Sequence, residues 1–266
     1  MVPFWIRWSA ALALTFGAVP AVLAARVPAG QEVRVCDDAN EWPPYTEAQR
    51  RNGQITGEVG GRSVVLLQRL AALYGWRLQI KLLPWNRCLA LVRSGEHFHM
   101  LLNALPTPER ERNFLFSDVV HEIHTDVLWS RRVHPQGLKL KRAEDLRPYR
   151  MGGNLGYTYP TLQRLNIPLS AEAPHPGSLV QMMHRNRIDA VLVAREVMPT
   201  LRDLEGRPLR DDPDLGQAPM PEAEVSRFRM MFTRATPLGA ALQADVNAGL
   251  ARLRASGDLS RILGGG

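Results

Sequence analysis

Few residues in this 266-residue chain have types and spacings that permit covalent or metal chemistry. No GxSxG elbow is present to raise a serine nucleophile. Gly152-Gly153-x-x-Gly156 is not followed by Gly-Lys-Ser/Thr, so it is no phosphate-cradling Walker loop. His97 and His99 would share one face of a strand. His121 and His124 stand at i,i+3, which shares a metal only on a helix, and the segment around them reads as extended. We expect no metal, no cofactor and no catalytic residue. Cys36 and Cys88 are the only cysteines, and neither has a CxxC or CxxH neighbour. In an oxidising compartment such a pair forms one bridge, the alternative being two separately buried thiols.

Residues suited to holding a small solute are better represented. Arg110 carries a planar guanidinium that grips a carboxylate through two parallel hydrogen bonds, unless it is an exposed helix arginine like Arg112. Thr158 starts a helix just after Gly156. Backbone N–H groups there favour an anion, and a plain N-cap threonine is the equal alternative. Asn103 ends an apolar run and can offer an amide or serve only as a turn residue. Trp42 and Tyr45 flank Pro43-Pro44, a rigid loop that is either a stacking wall or a plug in the core. Trp85 opens a helix, where packing and ligand contact are equally reasonable.

The elements that must position these residues read as α/β. Strands are expected at Glu32–Cys36, 76–83, 99–105, 126–131, 149–153, 188–193 and 227–232, from alternation or short apolar runs. Helices are expected at 59–74, stopped by Gly75, and at 84–93, 143–147, 158–165, 178–186, 238–255 and 258–263. Asp37–Gln54 and the proline-rich 205–224 read as surface connections. Strands alternating with helices imply parallel sheets covered by helices.

Residues 1–24 pair one basic residue, Arg7, with an apolar run and a Val22-Leu23-Ala24 exit. That is a secretory leader cleaved after Ala24, and a periplasmic destination is expected. Composition is ordinary for a globular chain, with 45% hydrophobic and 22% charged residues. The formal net charge is +7, but Lys139–Arg142 is the one compact basic run, so a solvated face accounts for it better than nucleic-acid binding.

The run Ser94–Asp118, SGEHFHMLLNALPTPERERNFLFSD, resembles the signature of the family 3 solute-binding proteins, the periplasmic receptors of polar amino acid importers. The likeness falls on Gly95, Asn103, Thr107, Arg110, Phe116 and Ser117. Asp38–Tyr45, Pro84–Gly95, Asn154–Tyr159, Arg185–Val193 and the C-terminal LQADVNAGLARLRASGDLSRIL continue it in order. The resemblance implies a type II two-lobed binding protein: lobe one at 26–127 plus 227–266, lobe two at 128–226, and two crossover strands. It implies a monomer that hands a small solute to an ABC permease, with no nucleic acid involved. It places ligand contacts at Trp42, Tyr45, Trp85, Asn103, Leu105, Thr107, Arg110, Gly156, Thr158, Ala194 and Glu196. Two positions depart from the pattern. Leu105 stands where a serine is usual, and Ala194 stands where an aspartate usually holds the ligand ammonium. Glu196 replaces that aspartate if the loop shifts by two residues. The same scaffold also carries exported dehydratases, in which Glu196 would be the acid, and stand-alone sensory receptors.

Overall fold

A computed structural model of the chain describes Met1 and residues 26–155, 157 and 159–264. The expected leader beyond Met1, Gly156 and Thr158 lie outside the described residues. In chain order the first half comprises β1 (Glu32–Asp38), β2 (Glu47–Arg51), β3 (Gln54–Gly60), α1 (Arg62–Tyr74), β4 (Arg77–Leu83), α2 (Trp85–Ser94), β5 (Met100–Ala104), α3 (Pro108–Asn113), β6 (Phe114–Phe116) and β7 (His121–Ile123). It continues with β8 (Thr125–Ser130), β9 (Met151–Asn154), α4 (Pro160–Arg164), β10 (Leu169–Ala173), α5 (Pro176–His184), β11 (Ala190–Ala194), β12 (Leu215–Pro219), β13 (Ser226–Thr233), α6 (Pro237–Ala255) and α7 (Asp258–Leu263).

Two mixed sheets organise these elements into two lobes. The first runs β4-β1-β5-β13-β6, with β7 also paired to β13, and the second runs β10-β9-β11-β8-β12. Each sheet has the same plan. One strand, β1 or β9, lies between two parallel neighbours (β4 and β5, or β10 and β11), and one antiparallel strand, β13 or β8, separates these three from β6 or β12. The chain passes between sheets twice, from β7 into β8 and from β12 into β13, and the start of β13 pairs with β7.

Sequence chemistry explains the layers. Val33 and Val35 alternate to one face of β1 and are fully buried. They meet Val64, Leu67 and Leu70 of α1 and Leu242, Val246 and Leu250 of α6 in one apolar cluster. Each such side chain contributes about 1.5–3 kcal/mol by leaving water. Cys36 points to the opposite face, where α2 packs, and forms a disulfide with Cys88. Gly75, at φ 73°, closes α1 as expected. The second lobe buries Met151, Leu162, Ala190 and Leu192 on one face and Leu179, Met183 and Val191 on the other.

Two segments read as featureless connections, 37–54 and 205–224, contain strands. Residues 47–60 form a β2–β3 hairpin whose turn, Asn52-Gly53, has positive φ at both positions, so the helix expected from Val59 begins at Arg62. The hairpin strands are polar and largely exposed, so hydrophobic alternation gives no signal, although Asn-Gly is itself a hairpin turn signal. The 205–224 stretch contains β12, which pairs antiparallel with β8 along five residues despite ending in Pro219. Its edge position tolerates the proline.

Candidate functional site

The carboxyl ends of the parallel strands are where open α/β sheets leave room for ligands. Here β1 ends at Asp38 and β5 at Ala104 in the first lobe, while β9 ends at Asn154 in the second. Tyr157, in the loop after β9, has its phenol pKa raised first by partial burial and then by the charge of Asp38 at the end of β1.

Arg110 is built into the first-lobe edge by three contacts. Thr107 caps α3, its hydroxyl accepting the Arg110 backbone N–H at 3.2 Å. The guanidinium donates through Nη1 to the Leu105 carbonyl at 3.0 Å. It lies over the Trp85 ring, 5.1 Å from the centroid, in cation–π geometry. It is half-buried, and desolvation lowers its pKa without discharging it. Among the described residues no carboxylate lies within 4.0 Å of it. Arg110, Trp85, Leu105 and Thr107 therefore form one unit: a preset cation on an aromatic floor, with donors free for an incoming carboxylate.

Trp42 and Tyr45 belong to a different unit. Tyr45 stacks on His121 with centroids 4.1 Å apart, and His121 stacks on Phe228 at 5.3 Å. Trp42 packs on Phe228 at 4.6 Å. Tyr45 is 2% exposed, inside a small core with Ile123 and Val197, against which Ala194 also packs. The loop thus touches both connecting strands, and Thr200 of the second lobe donates to the Pro43 carbonyl at 3.1 Å. His121 is buried with neither ring nitrogen hydrogen-bonded, and burial pushes its pKa down to about 3, so the ring is neutral.

Asn103 lies in a third unit beneath the edge. Its amide donates to Asp37 Oδ2 and to Thr46 Oγ1, both at 2.6 Å. Its carbonyl accepts the Ser63 hydroxyl at 2.7 Å, and the Thr46 hydroxyl donates to Asp37 at 2.7 Å. Burial dominates over these bonds and raises the Asp37 carboxyl to about 6. In this arrangement Asn103 holds the end of β5 against β1 and the loop after it.

Glu196 accepts the His124 backbone N–H at 3.0 Å and pairs with the His124 ring at 2.7 Å. Ala194 ends β11. The Arg195 guanidinium turns to the buried Asp126 at 2.7 Å, whose other oxygen accepts from Gln217. The structure brings none of these three residues into contact with the Arg110 unit. Sequence reading missed Asp37, Asp38, His121, Tyr157 and Phe228. An Asp-Asp pair ending a strand was the visible signal for the first two, whereas His121 and Phe228 are joined only by pairing of β7 with β13.

The chain belongs to the bacterial extracellular solute-binding proteins, family 3, whose model matches residues 33–264. Solved structures share the type II binding-protein fold. An amino acid ABC transporter substrate-binding protein from Streptococcus pneumoniae, bound to L-arginine, is 18% identical with a TM-score of 0.66, covering 87% of this chain and 92% of that one. An arginine-, lysine-, histidine-binding protein from Geobacillus stearothermophilus is 21% identical with a TM-score of 0.63, covering 87% and 93%. A histidine kinase sensor domain is 19% identical with a TM-score of 0.65, covering 88% and 94%. No curated protein sequence matches the chain.

Proposed function

We propose that this protein is a periplasmic receptor that closes its two lobes, near 26–127 with 227–266 and 128–226, around a small carboxylate-bearing solute. It then delivers that solute, as a monomer, to an ABC permease. The observation that carries this reading is Arg110: a half-buried cation at the strand edge, held by Leu105, Thr107 and Trp85, with no carboxylate within 4.0 Å among the described residues. A carboxylate bridging to it gains about 1.5–3 kcal/mol from charge-assisted hydrogen bonds, out of about 8 kcal/mol for micromolar affinity. Tyr157 supplies the second-lobe wall. Ala194 has no charge with which to hold an ammonium, which favours an organic acid or an amino-acid-like zwitterion held differently.

Binding rather than turnover is the proposed activity. Glu196, the residue suited to act as an acid, is committed to His124 instead. A sensory receptor acting through another protein is a second reading, favoured by the likeness to a histidine kinase sensor domain. Thermal-shift screening of amino acids, including arginine, lysine and histidine, beside organic acids should raise the melting temperature with one carboxylate class. Arg110→Ala should abolish that rise while leaving the unliganded melting temperature in place. An unchanged response in Arg110→Ala would remove the assigned anchor.

A further inference from the structure

A cavity of about 790 Å³ lies apart from the Arg110 unit, and Arg110, Trp85, Leu105, Thr107 and Tyr157 do not line it. Its walls come from the start of α1, the end of α6, α7, the β7 strand and the second-lobe segment at 196–199. Its charged lining is unevenly paired. Glu122 is bound by Arg227 at 3.0 Å and Glu196 by His124 at 2.7 Å. The two cations are Arg62 and Arg254. Arg62 donates to the Leu263 carbonyl at 2.8 Å and Arg254 to the Val119 carbonyl. Neither has a carboxylate within 4.0 Å among the described residues, so each guanidinium keeps donors and its full charge for an outside group. His121, 7% exposed and unpartnered at both ring nitrogens among the described residues, lines the same space. A buried polar ring without a partner calls for one. Val119 and Leu263 add an apolar part to the wall, behind which Val120 and Leu259 are buried.

We propose that this cavity is a second ligand site, taking an organic carboxylate with an apolar body whose anionic end meets Arg62 and Arg254. Two guanidiniums from different helices set the position of the anion, and Val119 and Leu263 cover part of the apolar body. A compact anion such as phosphate would meet the charge but not the apolar wall. The site is independent of whatever the strand edge binds.

The test uses benzoate as probe and the full mature chain carrying Arg110→Ala, so that the first site's anchor is gone. Backbone amide resonances are followed during titration. Saturable shifts at 119–122 and 259–264, with phosphate binding more weakly than benzoate, are the expected result. Adding Arg62→Gln or Arg254→Gln should weaken benzoate about tenfold or more, the loss of a charge-assisted pair. Arg62→Lys and Arg254→Lys keep the charge, and should retain part of the affinity where the glutamine variants fail to fold. Shifts that do not saturate, equal affinity in the glutamine variants, phosphate binding as well as benzoate, or no benzoate binding in the Arg110→Ala chain would each overturn the proposal. Because Arg110 is absent throughout, failure here leaves the strand-edge reading untouched.

Discussion

At the residue scale, two buried titratable groups pull stability in opposite directions with pH. Asp37 titrates near 6 in the fold against an ordinary 3.8, because burial penalises its charge. The fold therefore binds the Asp37 proton more tightly than the unfolded chain does. Stability falls as pH rises from about 4 to about 6, by up to about 3 kcal/mol. His121 behaves in the opposite sense. Its pKa falls from 6.5 to about 3, so the unfolded chain takes the proton first. Stability is lost as pH drops below about 6.5, by up to about 5 kcal/mol near pH 3. Between pH 4 and 6 the two effects nearly cancel. Asp37→Asn should expose the acid loss of His121, and His121→Phe, which keeps a ring between Tyr45 and Phe228, should leave a protein that gains stability toward pH 4. Urea midpoints measured from pH 4 to 7 check this, and variant curves running parallel to the unmutated one would contradict it. Tyr157 gives a separate check. It is half exposed, so Tyr157→Ala should weaken solute binding in calorimetry with little change in melting temperature.

At the element scale, the edge depends on how α1 is launched and how α2 is tied down. Gly61 precedes α1 at φ 104°, ψ 168°, a region open only to glycine. A Cβ there would sit 2.3 Å from the Tyr45 carbonyl oxygen. Gly61→Ala should therefore cost about 2 kcal/mol or more, read as a lowered urea midpoint, because backbone rather than a flexible side chain must move. The Cys36–Cys88 bridge closes a 52-residue separation between β1 and α2. Reduction should remove about 4 kcal/mol, and a melting temperature indifferent to reductant would contradict that. Most elements that carry a side chain into the core were legible in the sequence, because Val33, Val35, Leu67 and Leu70 repeat at strand or helix period. The β2–β3 hairpin and β12 were not, since their strands are exposed, short or bounded by proline. The site was legible in part. Leu105, Thr107 and Arg110 come from one short stretch and meet as sequence neighbours, whereas the contact of Arg110 with Trp85, on α2, is non-local. The engagement of Asn103 with Asp37, Thr46 and Ser63, and the stacking of Tyr45 on His121, depend on non-local pairing that no local pattern encodes.

At the scale of the whole molecule, two short connections join the lobes, and the Trp42–Tyr45 loop bridges them through Phe228, Val197 and Thr200. Hinge motion about a few such residues is the expected response to a ligand that touches both edges. Small-angle scattering should show a smaller radius of gyration, and hydrogen exchange tighter protection of the Trp42 and Tyr45 amides, when solute is added. The measurement closest to the main claim is titration calorimetry of the unmutated protein and Arg110→Ala, using the carboxylate solute that gives the largest thermal shift. The account predicts one-to-one binding that weakens about tenfold or more in Arg110→Ala while the unliganded fold is preserved. Equal affinity in the two proteins would contradict it.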